Sequence, residues 1–434
     1  MQRRRKIGLV AAGLATSLLA TLTGCGGENP LGGEVGLKLM AVEHGDRSGN
    51  SSQRFWDKLI GEFRFEHPDI DVDVDLYERD AIDAEVRERV AEGRPPDLAQ
   101  TSASFAGYAR RDLLYNAREV LSTHTQASIT ASLVQAGSVG HVQYGFPFSA
   151  STRALFYNKD LFEKAGVEEP PRTWEELLRT ARSLKAVGVK TPYGLPLGEE
   201  EAQAEALNWM LGNSGGYLSD AGSYDIDSPQ NVATFEFLRD ELVGPGLTNE
   251  NPATTDRQEV YAAFIEGEVA MLNGHPGLMQ LALENGVRFG TSPLPGRTAP
   301  ARTTAGVADW TMAFKENGHA EEIRTFLDFV YQERYVVEYA GTHTMLPVTT
   351  EAAYTMREDA AHKPLWPFIE SLDVARFYPL GKSSWGEASR RLNATIGNAV
   401  LGDGAPRTVL GRVQSDAVAA EAEAEAEAEA EVAP

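Results

Sequence analysis

The middle of this chain reads Gly145-Phe146-Pro147-Phe148-Ser149-Ala150-Ser151-Thr152 and, two residues later, Leu155-Phe156-Tyr157-Asn158-Lys159-Asp160-Leu161-Phe162. It continues through Lys164-Ala165-Gly166 to Pro170-Pro171-Arg172-Thr173-Trp174-Glu175-Glu176-Leu177. The two prolines favour an extended backbone before the helix. Thr173 is a suitable N-cap, and Glu175 and Glu176 in the first turn suit the helix dipole. The stretch therefore predicts an extended segment followed by a helix that begins at Thr173.

On either side of this stretch, apolar strands alternate with helices. The predicted strands are Val35 to Val42, Ile70 to Leu76, a strand after Pro95-Pro96, Val269 to Leu272, Phe289 to Thr291 and Ala308 to Phe314. The predicted helices are one through Phe55, Leu59, Ile60 and Phe63, one near Ala81 to Glu92, Thr173 to Lys185, Pro229 to Leu242, Arg257 to Ile265, Ala320 to Tyr331 and Ser384 to Leu401. Strands separated by helices indicate an α/β fold whose parallel sheet is covered on both faces.

Three more blocks follow in order: Ala263 to Met271, Phe289 to Pro295, and Leu346-Pro347-Val348-Thr349. Together with the central stretch they resemble the extracellular solute-binding proteins of sugar-type ABC importers, from Val35 to about Ala417. The resemblance implies a maltose-binding-like, two-lobed periplasmic-binding-protein fold with a ligand cleft between the lobes. It also implies three hinge crossings and delivery of a small carbohydrate to the transmembrane subunits of a permease. No two of the eight histidines lie within a helical turn of each other, so we expect no metal site, and we expect no cofactor.

The resemblance also suggests how the chain divides. We expect crossings near Tyr144 to Phe148, near Leu272 to Gly274, and near Phe314-Lys315. Lobe one would then comprise residues 35–145 and 274–314, and lobe two residues 146–273 and 315–420. Residues 421–434 form a Glu-Ala tail that we expect to be solvated or partly helical, because its glutamates repel one another.

Polar residues after the predicted strands are the first candidates for ligand contact, because ligands of open α/β sheets meet the carboxyl ends of the strands. Hydroxyls and carboxylates together donate and accept the hydrogen bonds that a sugar requires. Each of these residues could instead serve a turn or a cap. The candidates are Glu43, His44, Asp46, Asp80, Ser102, Ser104, Ser149, Ser151, Thr152 and His275.

Aromatic residues are the second candidates, because an aromatic face complements the C–H face of a pyranose ring. Gly306, Asp309 and Trp310 form the first group, in which the glycine would allow close approach. Asp309 and Trp310 are neighbours on a strand and should point to opposite faces unless a bulge intervenes. The other aromatic candidates are Trp385, Tyr217 and Phe148.

Two departures bear on the ligand. Several sugar binders of the family carry Trp after the Asn-Gly at the second crossing, where this chain has His275. The central stretch is also close to the glycerol-phosphate-binding branch, which has Tyr before Leu-Pro and Arg in a C-terminal helix. Met345 and Ser389 stand at those places, although Arg390 and Arg391 are adjacent. We therefore expect a neutral di- or oligosaccharide, with a glycerophosphodiester or glycerol phosphate as the alternative.

A secreted glycoside hydrolase is the rival from another class, and it would need two carboxylates flanking a glycosidic bond. With 63 acidic residues, composition does not exclude such a pair. The chain has no His-Glu-x-x-His and no phosphate-binding Walker loop. A sensor that docks on a receptor when loaded would share the binder's fold. We predict a binding protein and no enzyme.

The N-terminus indicates export. Arg3-Arg4-Arg5-Lys6 precedes an apolar run over residues 7–22, and Leu22-Thr23-Gly24-Cys25 resembles a bacterial lipobox. The resemblance implies that residues 1–24 are a signal peptide, that Cys25 carries the lipid, and that residues 25–34 are a linker on the outer face of the membrane. An ordinary signal peptide with an incidental cysteine is the alternative.

Charge limits the partners of the exported chain. Without the four basic residues of the leader, 36 basic residues stand against 63 acidic ones, a net charge of about −27. Such a surface repels nucleic acid and anionic headgroups, so membrane contact should come through the lipid anchor. Cys25 is the only cysteine, which leaves no internal disulfide, and we expect a monomer.

Overall fold

The computed structural model describes residues 35–45, 51–102 and 104–432, with side chains as far as residue 426. Two of the predicted site residues, Cys25 and Asp46, lie outside this range. The strands are β1 (Val35–Val42), β2 (Ile70–Tyr77), β3 (Leu98–Thr101), β4 (Ser138–Val139), β5 (Val142–Gln143), β6 (Phe146–Ser151), β7 (Ala154–Asn158), β8 (Thr191–Gly194), β9 (Val269–Gly274), β10 (Phe289–Ser292) and β11 (Val307–Ala313).

Helices cover these strands. They are α1 (Ser52–Glu66), α2 (Ile82–Ala91), α3 (Phe105–Arg110), α4 (Ala117–Val120), α5 (Thr123–Ser128), α6 (Ala131–Ala136), α7 (Lys159–Lys164), α8 (Trp174–Ala186), α9 (Ala202–Leu211), α10 (Pro229–Phe237), α11 (Arg257–Ile265), α12 (Pro276–Glu284), α13 (Ala320–Val330), α14 (Glu333–His343), α15 (Thr350–Glu358), α16 (Trp366–Leu372), α17 (Trp385–Asn393) and α18 (Pro406–Val432). Among the residues the structure describes, no helix is long and apolar enough to cross a membrane.

Two sheets form the cores of the two lobes. The first has the strand order β2-β1-β3-β11-β6, and the second has the order β10-β7-β9-β8. In the first sheet β1 runs parallel to β2 and β3, whereas β11 runs antiparallel to β3 and β6. The expected all-parallel sheet is therefore wrong, because the chain returns from the second lobe in the opposite direction.

Three short segments lie side by side where the chain passes between the sheets. The hydroxyl of Thr304 donates to the carbonyl of Arg153 at 2.9 Å and accepts from its N–H at 3.1 Å. The N–H of Arg376 donates to the carbonyl of Thr304, and the N–H of Gly306 donates to the carbonyl of Arg376, both at 2.9 Å. These bonds join the three crossings into one hinge.

Sheet membership differs from the division expected from the sequence. β6 (Phe146–Ser151) belongs to the first sheet and β10 (Phe289–Ser292) to the second. Helices α13 and α14 pack on the first lobe, through contacts of α13 with α1 and β1 and a bond from Tyr335 to Glu62. The crossings therefore fall near residues 152–153, 304–306 and 376, because strand pairing assigns a segment to a lobe and apolar pattern alone does not.

Local signals set the helix ends well. Thr173 caps α8, as predicted, and the structure adds that Glu176 bonds back to the cap and completes a capping box. Two predicted helices are interrupted: Pro229 to Leu242 turns into a π-helix at Leu238–Val243, and Ser384 to Leu401 splits into α17 and a 3₁₀ turn at Ile396–Val400. The Glu-Ala tail continues α18, whose residues Leu410, Val413 and Ala417 are buried against the second lobe.

Replacing Thr173 by Ala should lower the free energy of unfolding by about 1 kcal/mol, because the backbone N–H of Glu176 loses the hydroxyl that accepts from it. Urea unfolding followed by circular dichroism measures the change. Thr173→Ser keeps the hydroxyl and should stay within about 0.5 kcal/mol of the wild type. An alanine variant as stable as the serine variant would contradict a capping role.

Candidate functional site

Asp309 is the centre of a polar cluster on the first lobe. It is 3% exposed, and the pairing of β11 with β6 shifts register between Asp309 and Trp310. The hydroxyl of Ser149 donates to its Oδ2 at 2.8 Å, and Nε2 of His44 lies 2.8 Å from the same oxygen. Arg79 donates to both carboxylate oxygens. Ser149, His44 and Asp309, all predicted from the sequence, are thus brought together.

The charges of this cluster hold Asp309 ionised. Burial alone would raise the pKa of its carboxyl, but the guanidinium of Arg79 and the ring of His44 hold it well below its usual range. On the other side of His44, the hydroxyl of Tyr339 lies 2.6 Å from Nδ1. The ring of His343 packs on Tyr339 with centroids 4.2 Å apart, and burial lowers the pKa of His343 to about 4. The side chains of this cluster therefore hold one another in place through direct contacts.

A second cluster lies on the other lobe. Arg153 donates to Glu201 at 2.8 Å, and Nε of Arg257 lies 2.6 Å from the second oxygen of that carboxylate. Arg257 also donates to Glu200 at 2.6 Å, and its Nη1 lies 3.1 Å from Nε2 of His275. Burial, and then the neighbouring arginines, lower the pKa of His275 well below its usual value, so its ring is neutral.

The two clusters face each other across the hinge. Arg79 is bonded to Asp309 of its own lobe, and the attraction of that carboxylate raises its pKa, although burial opposes the rise. Glu201 of the opposite lobe contributes to the same shift, and Arg79 in turn lowers the pKa of His275. The side chain of Arg79 is 45% exposed. A guanidinium of the first lobe and a carboxylate of the second are thus within electrostatic range of each other, and we define the space between them as the candidate cleft.

The predicted aromatic platforms are not presented to this cleft. Trp310 is 0% exposed and packs between Phe105 and Phe377, with ring centroids 5.7 and 6.2 Å away. Trp385 is 2% exposed and stacks on Tyr378. Gly306 makes room for Phe377, because a Cβ there would lie 2.6 Å from that ring. The structure thus places both tryptophans in the packing around the hinge.

The remaining candidates lie in supporting or separate positions. Glu43 accepts from the N–H groups of Gly45 and Ser52, which is a turn role. Phe148 is half-buried and stacks on Trp56. The other placements are Asp80, exposed in a turn; Ser102, bonded to Asp83; Ser104, bonded through its N–H to Thr101; Ser151, accepting from Arg153; Thr152, donating to the carbonyl of Phe368; and Tyr217, donating to the carbonyl of Gln203.

Sequence reasoning missed the charged groups of the cleft and one neutral phenol beside them; the charged groups are Arg79, Arg153, Glu200, Glu201 and Arg257, and the phenol is Tyr339. Arg79 precedes the predicted Asp80, and Arg153 follows the predicted Thr152. The rule that ligands meet the carboxyl ends of strands therefore selected the neighbours of these arginines and not the arginines themselves. Arg257 and Glu201 lie on helix ends and gave no such signal. Across the described residues, no group of three or more His, Cys, Asp or Glu side chains is placed to hold a metal ion. The paired charges offer hydrogen bonds to a ligand.

Comparison with known proteins identifies the family of this chain. Residues 49–337 match the bacterial extracellular solute-binding protein family, so the chain belongs to that family. It is the substrate-binding protein of an ABC transporter, a class of binding proteins and not of enzymes. The two-lobed, maltose-binding-like α/β fold is confirmed.

Individual relatives differ in what they bind. A Brucella abortus protein named only as a binding protein is 25% identical over 415 residues, 94% of this chain and 96% of that protein. The sn-glycerol-3-phosphate-binding periplasmic protein UgpB of Brucella melitensis is 30% identical over 217 residues, 48% of this chain and 49% of that protein. The cyclic α-maltosyl-1,6-maltose binding protein of Arthrobacter globiformis superposes with a TM-score of 0.77 at 18% identity, covering 90% of this chain and 99% of that one.

Proposed function

We propose that this protein is a lipid-anchored extracytoplasmic binding protein that takes up a neutral di- or oligosaccharide between its lobes and delivers it to an ABC permease. The balanced charge of the cleft is the observation that supports this ligand class. Three guanidiniums (Arg79, Arg153 and Arg257) stand against three carboxylates (Asp309, Glu200 and Glu201), and each carboxylate has a guanidinium partner. A neutral polyol fits such a site because its hydroxyls donate to carboxylates and accept from guanidiniums.

A phosphate ligand fits this arrangement less well. A dianion would have to lie beside carboxylates that are already present, and like charges repel. In the glycerol-phosphate branch, a C-terminal helix carries an arginine. Both arginines of the corresponding helix here, α17, are bonded to acidic residues. Arg390 pairs with Glu387 and is exposed, whereas Arg391 pairs with Glu387 and with Glu423 of α18. The partial similarity to UgpB, together with the three cleft arginines, keeps glycerol phosphate as the second candidate.

Transport follows from closure of the two lobes. A ligand that bonds to both clusters stabilises the closed form over the open form by its differential affinity. One direct contact already joins the lobes, since the hydroxyl of Thr344 donates to Gln280 of α12 at 3.2 Å. The permease then recognises the closed surface, and the ligand is released with every bond intact. Cys25 would keep the protein at the membrane through its acyl chains.

A thermal-shift panel tests the ligand class. Maltotriose, trehalose, sn-glycerol-3-phosphate and glycerophosphocholine are each added to the purified mature protein. A sugar at a hundred times its Kd should stabilise the protein by about 2.7 kcal/mol. Arg79→Gln should abolish that shift, because it removes the exposed donor of the first lobe. Arg64→Gln, at an exposed ion pair on the same lobe, is the matched control and should preserve it.

Stabilisation by sn-glycerol-3-phosphate or glycerophosphocholine and by neither sugar would reject the carbohydrate proposal in favour of the second candidate. A sugar-induced shift that is equal in Arg79→Gln and Arg64→Gln would place the site outside the cleft.

A further inference from the structure

The third crossing carries two neighbouring aromatic residues that turn to opposite lobes. Phe377 fills the space above Gly306 and meets Trp310 of the first sheet edge-on. Tyr378 stacks on Trp385 of the second lobe, with centroids 5.5 Å apart and an interplanar angle of 26°. Each tryptophan therefore contacts the third crossing through one of these two rings.

The hydroxyl of Tyr378 is buried and has no hydrogen-bond partner within the part of the chain that the structure describes. The hydroxyls of other buried tyrosines have partners. The hydroxyl of Tyr331 donates to the carbonyl of Pro147 at 2.7 Å, and the hydroxyl of Tyr193 donates to Glu205. A buried hydroxyl without a partner is unfavourable, and native structures keep few of them. We therefore expect the hydroxyl of Tyr378 to form a hydrogen bond with a group from outside the chain.

The surroundings of this hydroxyl indicate which partner it would meet. Burial raises the pKa of Tyr378, and the charge of Glu201 adds to the rise, whereas Arg153 and Arg257 oppose it. These three residues belong to the cluster on the second lobe. Thr304 bonds to the backbone of Arg153 and to the N–H of Arg376, which places Tyr378, two residues further on, near that cluster. A phenol both donates and accepts a hydrogen bond, as does a sugar hydroxyl. The partner is therefore a hydroxyl-bearing group lying against the Arg153–Glu201–Arg257 cluster.

We propose that Tyr378 is a ligand-binding residue whose hydroxyl bonds a hydroxyl of the bound solute at the hinge end of the cleft, and that Trp385 is a positioning residue that holds its ring. This assignment rests on the proposed function, because it requires a solute in the cleft. It replaces direct stacking of Trp385 on a sugar, which the burial of that side chain excludes in this conformation.

Isothermal titration calorimetry of the Tyr378→Phe variant tests the ligand-binding role of Tyr378. The probes are maltotriose, trehalose and sn-glycerol-3-phosphate. The probe that binds the wild type should bind the variant about tenfold more weakly, the loss expected for one hydrogen bond. The melting temperature without probe should not fall, because the hydroxyl has no partner to lose. Tyr331→Phe is the matched control: it should lower the melting temperature and leave the affinity unchanged.

Trp385→Phe separates positioning from mere packing. If Trp385 acts through Tyr378, Trp385→Phe weakens binding in the wild type and adds no further loss in Tyr378→Phe. An equal loss in both backgrounds would overturn the positioning role. Unchanged affinity in Tyr378→Phe, or a lower melting temperature with no loss of affinity, would overturn the ligand role.

The failure of the proposed function has a different signature. Binding of sn-glycerol-3-phosphate with a tenfold loss in Tyr378→Phe would reject the carbohydrate and support Tyr378. If the wild-type protein bound none of the three probes, both the proposed function and the ligand-binding role of Tyr378 would be contradicted.

Discussion

Replacing Asp309 by Ala is expected to lower the free energy of unfolding by about 3 kcal/mol, because it leaves the charge of Arg79 and the buried ring of His44 without their common partner. The loss is at the low end of the range for buried pairs, since Arg79 is partly exposed to water. The hydroxyl of Ser149 loses its acceptor as well. Urea unfolding of the mature protein at pH 7 measures the change.

A surface pair supplies the control for this prediction. Asp71 pairs with Arg64, and their side chains are 41% and 57% exposed. Asp71→Ala should cost less than about 1 kcal/mol, because water screens exposed charges. If Asp309→Ala destabilised the protein no more than Asp71→Ala, the cluster would not be the buried, mutually bonded unit that the geometry indicates.

Replacing Glu205 by Gln is expected to stabilise the protein by about 3 kcal/mol at pH 8 and by little at pH 5. Glu205 is buried in the second lobe, where burial raises the pKa of its carboxyl to about 7. Its Oε1 accepts from Trp209 at 2.7 Å, from Asn273 at 3.0 Å and from Tyr193 at 3.2 Å. Glutamine keeps this acceptor and never ionises.

The direction of this pH dependence follows from whether the folded or the unfolded state holds the proton of Glu205. Between the ordinary value of 4.5 and about 7, the folded protein keeps the proton of Glu205 and the unfolded chain does not. Stability therefore falls as the pH rises through this window, and the fall is complete above the folded pKa. The comparison of variant and wild type cancels the titration of the other carboxylates. Urea unfolding at pH 5 and pH 8 gives the two differences.

An exposed glutamate supplies the matched control. Glu175 is 81% exposed on α8, and Glu175→Gln should shift stability by less than about 0.5 kcal/mol at either pH. The expectation for Glu205 is contradicted if Glu205→Gln differs from the wild type by the same amount at pH 5 and pH 8.

Much of the fold was accessible to pattern and motif. The alternation of Ile70 to Leu76, the cap at Thr173 and the apolar run at Val269 are local signals, and the structure bears them out within one or two residues. The candidate site was accessible in part. The rule on strand ends led to His44 and Ser149, and the motif around Trp310 led to Asp309, which the fold gathers into one cluster.

The rest depends on contacts between distant parts of the chain. Arg257 and Glu201 are 56 positions apart, and Arg79 reaches Asp309 across 230 positions. No local spacing encodes such pairs, because sheet order and helix packing bring them together. The tryptophans were misjudged for the same reason: a sequence shows that Trp310 follows a flexible Gly306, but not that Phe377 occupies the space this glycine leaves open.

By itself, then, the sequence determined most of the helices and strands, because these depend on short-range periodicity and on caps. Its ordered motifs, through their resemblance to a known family, indicated the class of the protein and its two-lobed α/β architecture. Only the tertiary structure decided which strands belong to which lobe, where the chain crosses and which charges share the cleft. The physical reason is that strand pairing and the burial of ion pairs are settled by neighbours in space, and those neighbours lie far apart along the chain.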